Sequence, residues 1–114
     1  MNIKVRENRR HLRAPLILKV DYRNVDQFYT TYAENMSIGG MFLCTPSPLA
    51  QGTVVFLEFL LPDSTSKIRT KAEVVWTRKR PVSHKKKRGM GVRFMDIAQK
   101  DRQKIHDLVT RLRG

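Results

Sequence analysis

The chain has 114 residues, of which 40% are hydrophobic and 29% charged, a composition that fits one folded domain and argues against general disorder. Its formal net charge is +13 and unevenly spread: residues 1–13 carry five basic groups and residues 78–88 carry seven, leaving eleven basic against nine acidic residues elsewhere. A lone cysteine, Cys44, excludes an intrachain disulfide, and no apolar run is long enough to span a bilayer.

In chain order, residues 1–13 are polar and basic without a sustained period and read as an arm. From Pro15, Leu16, Leu18, Val20 and Tyr22 alternate with Ile17, Lys19, Asp21 and Arg23, the pattern of a half-buried strand. Asn24 to Gln27 reads as a turn, and a second strand from Phe28 to Ser37 is rich in Tyr and Thr. Gly39-Gly40 marks a bend before a short strand, Met41 to Cys44. Thr53 to Leu61 is nearly continuous in apolar residues, which predicts burial on both faces. Ile68, Thr70, Ala72, Val74 and Trp76 then alternate with Arg69, Lys71 and Glu73. A basic loop follows, and Met90, Val92 and Phe94 alternate again. Six strands with short turns and no intervening helix predict an antiparallel sheet closed into a barrel, spanning residues 14–95. The period then changes. Ile97, Ile105, Leu108, Val109 and Leu112 fall on one helical face, and Asp96 with Gln99 fits a capping box, so residues 96–113 are expected to form a helix packed on the barrel.

Two short motifs carry chemistry. Arg9-Arg10-His11-Leu12-Arg13 supplies Arg-x-x-x-Arg on the arm, and Asn35-Met36-Ser37-Ile38-Gly39-Gly40 supplies Asn-x-Ser-x-x-Gly where a strand turns. Guanidinium groups donate paired hydrogen bonds to phosphate and to the O6/N7 edge of guanine, and their flat faces stack on bases. Asn and Ser add short hydrogen-bonding side chains, and glycine lets backbone come close. Localised positive charge likewise calls for an anionic partner.

Both motifs, in this order, resemble the PilZ domain, a bacterial receptor for cyclic di-GMP. Arg13-Ala14-Pro15 leads into the first strand as in that family, and Ala72 to Trp76 and Gly89 to Phe94 look like its later strands. The resemblance covers residues 6 to 112 and implies a single-domain cytoplasmic receptor that clamps the dinucleotide and signals to a separate protein. On this basis Arg9 and Arg13 are the expected clamp, with Arg10 assisting and Arg6 as a further contact. Asn35, Ser37 and Gly40 form the opposing strand, and Trp76 is placed either against a guanine or in the core. Many relatives carry an arginine where this chain has Asn8, which leaves open one or two bound nucleotides.

The same residues admit other functions. The basic stretch 78–88 would suit a nucleic-acid-binding barrel, and a PilZ-like protein adaptor that binds no nucleotide is a third reading. His11, His84 and His106 are scattered without metal-ligand spacing, and neither a nucleophile elbow nor a phosphate-binding glycine loop is present, so no catalytic residue, metal or cofactor is expected.

Overall fold

A computed structural model describes residues 17–25, 27–62, 64–83 and 87–113. The six strands are β1 (Leu18–Asn24), β2 (Gln27–Glu34), β3 (Gly40–Cys44), β4 (Val54–Phe59), β5 (Ile68–Arg78) and β6 (Gly89–Met95), followed by helix α1 (Gln99–Arg113). All neighbouring strands are antiparallel, in the order β1-β2-β3-β6-β5-β4, and pairing of β1 with β4 closes the barrel.

Side-chain alternation decides what each strand gives to the interior. Leu18, Val20 and Tyr22 of β1 point inward, as do Val55, Leu57 and Phe59 of β4, Ile68, Ala72 and Val74 of β5, and Met90, Val92 and Phe94 of β6. Each fully buried aliphatic or aromatic side chain of this kind contributes about 1.5–3 kcal/mol. Ile105, Leu108 and Val109 of α1, with Ile97 before it, complete the same core, so the helix covers the barrel with one face.

Four local expectations need correction. β4 is not buried on both faces: Val54 and Phe56 lie on the outside, so its run of apolar residues is an alternating strand with an apolar outer face. The second strand stops at Glu34, because Asn35 takes φ 54° and turns the chain. The helix begins at Gln99 rather than Asp96. Asp96 sits at φ 53°, outside helical geometry, and the first turn is closed instead by the Asp101 and Arg102 amides donating to the Ala98 carbonyl. Leu112 does not join the helix's buried face and is exposed.

The β5–β6 pairing carries the most consequential irregularity. In β5 the register with β6 slips between Val74 and Trp76, leaving Val75 as an extra residue. A bulge of this kind exchanges inside and outside for everything beyond it. Trp76 would have continued the inward row of Ile68, Thr70, Ala72 and Val74; instead it is turned out and is 41% exposed. The β1–β2 hairpin is also unusual, with Val25 at φ 55° in its tight turn, a conformation that penalises a β-branched side chain.

Candidate functional site

The turn that holds the second motif is built by its own residues. Met36 is buried in the core and pins the chain beside the barrel. The Ser37 amide donates to the Gly40 carbonyl at 2.8 Å, and the Ser37 hydroxyl donates to the same oxygen at 3.4 Å. Asn35 is exposed and held in the left-handed region, where its short side chain is better tolerated than most. Gly40 has a steric reason to be glycine. A Cβ there would lie far inside contact distance of the Val92 carbonyl oxygen on β6, so the β3–β6 seam closes only without a side chain.

Beside this turn, the outer face of β3, β6 and β5 forms a platform. The outward positions of β6 begin with Gly89 and Gly91, and the space they leave is taken by rings from the strands on either side. A Cβ on Gly89 would strike the Leu43 carbonyl oxygen and then the Phe42 ring, and one on Gly91 would strike the Trp76 indole. Phe42 and Trp76 therefore meet over β6, with centroids 5.3 Å apart and planes within 17°. Phe42 is buried although it belongs to no part of the interior core. The guanidinium of Arg78 closes the stack, 5.2 Å from the Phe42 ring and 5.1 Å from the Trp76 ring. Its Nη1 also donates to the Lys87 carbonyl at 2.9 Å.

A depression of about 190 Å³ is lined by Asn35, Ser37, Gly39, Gly40, Phe42, Trp76, Gly91 and Arg93, among others. Arg93, at the edge, donates through Nη2 to Glu73 Oε1 at 2.6 Å. Asn35, Ser37, Gly40 and Trp76 are thus brought to one place on the outer surface. Arg6, Arg9, Arg10 and Arg13 lie outside the described residues. Phe42, Arg78, Gly91 and Arg93 are the surroundings that sequence reasoning did not assign to the site. The Gly-x-Gly within β6 was the available signal, since paired glycines on one strand face mark a close approach by something else.

The basic segment 78–88 is less free than its composition implies. Arg78 belongs to β5 and to the ring stack. Lys87 Nζ pairs with Glu34 Oε2 at 3.0 Å, and Arg88 Nη1 donates to the Pro46 carbonyl at 3.3 Å. Glu34 holds the Lys87 ammonium above the usual lysine range, and burial followed by Glu34 pushes the Cys44 thiol up to about 11. Among the described residues no group of three or more His, Cys, Asp or Glu could hold a metal ion, and no helix is long and apolar enough to cross a membrane.

A family model described as PilZ domain matches residues 7–111. Three solved structures share the fold. The inhibitor of motility MotI/DgrA of Bacillus subtilis superposes with a TM-score of 0.76 at 23% identity, covering 89% of this chain and 49% of that one. The chain therefore spans about half the length of that protein. The PilZ domain of YcgR from Escherichia coli, with c-di-GMP, gives 0.69 at 16% identity over 91% of this chain and 90% of that one. The PilZ domain of CeSA from a cellulose-synthesizing bacterium gives 0.61 at 20% identity over 90% and 98%. No curated protein matches the chain.

Proposed function

The chain belongs to the PilZ domain family, and from that premise we propose that it is a receptor for cyclic di-GMP rather than an enzyme. The observation that carries the reading is the gathering of Asn35, Ser37, Gly40 and Trp76 around one depression on the outer face of the barrel. In this reading Trp76 stacks on a guanine, while Asn35 and Ser37 hydrogen-bond the base or the incoming arm. Gly40 holds the seam beneath them. In the same reading Arg9 and Arg13 of the first motif clamp guanine edges and phosphates, with Arg10 assisting and Arg6 as a further contact.

The size of the depression supports a division of labour. Pockets that enclose small ligands usually measure about 300–1,000 Å³. A hollow of about 190 Å³ suits part of a dinucleotide and needs a second wall. The arginine-bearing arm is the segment with the right chemistry. Ordering an arm costs about 1–2 kcal/mol per residue in backbone entropy, so it requires several charge-assisted hydrogen bonds of about 1.5–3 kcal/mol each. The ordered arm then becomes the signal read by a separate partner protein.

Calorimetric titration with cyclic di-GMP at two salt concentrations, alongside Arg13→Ala and Asn35→Ala, tests this reading. Micromolar or tighter binding lost in both variants is the expected result, and its stoichiometry decides between one and two bound nucleotides. Absence of binding by calorimetry and by Trp76 fluorescence would overturn it. Single-stranded nucleic acid is the competing ligand. Its binding would weaken steeply with salt and would ignore Asn35→Ala.

A further inference from the structure

On the opposite side of the barrel, centred on β1 and β4, we propose a docking surface for an acidic segment of a partner protein that carries an apolar side chain. A groove of about 630 Å³ runs across the outer faces of β2, β1, β4 and β5. None of the residues assigned to the nucleotide lines it.

Strand register arranges its outward side chains in two rows. Thr30 faces Asp21, Asp21 faces Glu58, and Glu58 faces Arg69. This row is satisfied from within. The Thr30 hydroxyl donates to Asp21 Oδ1 at 2.8 Å, and Glu58 takes both Arg69 and Lys67.

In the second row Phe28 faces Arg23, Arg23 faces Phe56, and Phe56 faces Lys71. This row is electrostatically incomplete. The Arg23 guanidinium lies 4.5 Å from the centroid of the Phe56 ring and Lys71 Nζ lies 5.8 Å from it, one from each neighbouring strand. Among the described residues neither cation has a carboxylate partner. Phe28 is 78% exposed and Phe56 40% exposed beside them. Two cations flanking a ring, with a second ring bare to water, are complemented by carboxylates flanking an apolar group.

The charge pattern selects among occupants. The groove mixes Arg23, Arg69 and Lys71 with Asp21 and Glu58, and those carboxylates repel the continuous phosphates of a nucleic acid or an anionic membrane. An acidic peptide places its carboxylates over one row and its backbone amides toward the other. The groove also borders β2 where that strand is half open: β3 pairs with β2 only at Tyr32, Ala33 and Glu34, and the Thr31 hydroxyl donates to the Cys44 carbonyl, so among the described strands the backbone of Gln27 to Thr30 pairs with β1 alone. An extended segment can lie along that edge.

The test uses the full chain labelled with nitrogen-15 and two short acetylated peptides, one alternating glutamate with leucine and phenylalanine, the other with lysine replacing glutamate. The acidic peptide is expected to shift the amide resonances of Arg23, Phe28, Phe56 and Lys71 and to leave Asn35 and Trp76 unmoved; the lysine peptide should do neither. The double variant Arg23→Glu with Lys71→Glu should weaken the interaction by at least about tenfold, the effect of losing one charge-assisted contact. Phe28→Ser, at an exposed position that does not endanger folding, should weaken it as well. Shifts confined to residues 78–88, equal response to the lysine peptide, displacement of the peptide by a single-stranded oligonucleotide, or concentration-dependent self-association through these residues would each overturn the proposal.

Discussion

Across β3, β6 and β5 the outer surface is made of omissions: Gly40, Gly89 and Gly91 leave space, and Phe42 and Trp76 fill part of it. Across β1 and β4 the surface is made of additions, charged and aromatic side chains standing in register over a full ladder. The first side is shaped by backbone proximity, so it is sterically exacting and chemically sparse. The second is shaped by side chains, so it tolerates change and offers charge. A barrel can thus carry two unlike surfaces from one architecture, and substitutions should tell them apart by the kind of damage they do.

The largest effect is expected at the seam. Gly40→Val sets a branched side chain against the Val92 carbonyl and should cost about 3 kcal/mol or more in urea unfolding, whereas Phe28→Ala, exposed on the other side, should change stability by less than about 0.5 kcal/mol. If the two costs were alike, the contrast between the surfaces would fail. Next, Gly91→Ala meets a movable indole instead of backbone. About 1–2 kcal/mol should be lost, with the emission of Trp76, the sole tryptophan, shifting to the red as the ring leaves Phe42. Unchanged emission would mean that Gly91 does not seat the ring.

A smaller effect, of opposite sign, belongs to the hairpin at the other side. Val25→Asn relieves a β-branched residue at φ 55° and should raise stability by about 0.5–1 kcal/mol. A loss would show that the Val25 side chain has a packing role its 73% exposure does not reveal. A pH-dependent effect lies between the surfaces, at Cys44. With a thiol pKa of about 11 against an ordinary 9, the folded chain binds more protons than the unfolded chain between those values, so stability should fall as pH rises from 9 to 11. Alkylation by iodoacetamide at pH 8 should be slow for the same reason, and Glu34→Gln should quicken it by removing the carboxylate that opposes the thiolate. A rate at pH 8 matching free cysteine would contradict that environment.

The barrel was legible because alternation is a local signal, and β1, β5 and β6 display it within a few residues. β4 misled because its outward positions Val54 and Phe56 are apolar too, and periodicity cannot separate an inner face from an apolar outer one. The helix start misled because Asp96 and Gln99 carry capping chemistry while the backbone at Asp96 turns the other way. For the candidate site, the motif residues Asn35, Ser37 and Gly40 were named from sequence, and they do share one turn. Phe42, Arg78 and Gly91 were not, because they meet only after β3, β5 and β6 are laid side by side. No window of sequence contains that neighbourhood. The direction in which Trp76 faces is not legible in the sequence, since one unpaired residue decides it.

That residue, Val75, also governs how this chain should be aligned with others. Where another barrel of this kind lacks the insertion, a tryptophan in the column of Trp76 would point into the interior, and the outward ring would be sought one position away. Columns of an alignment drawn through β5 would then equate a core residue in one protein with a surface residue in another. A gap placed at Val75, not the identity of the aromatic residue, is what keeps the comparison of these surfaces honest.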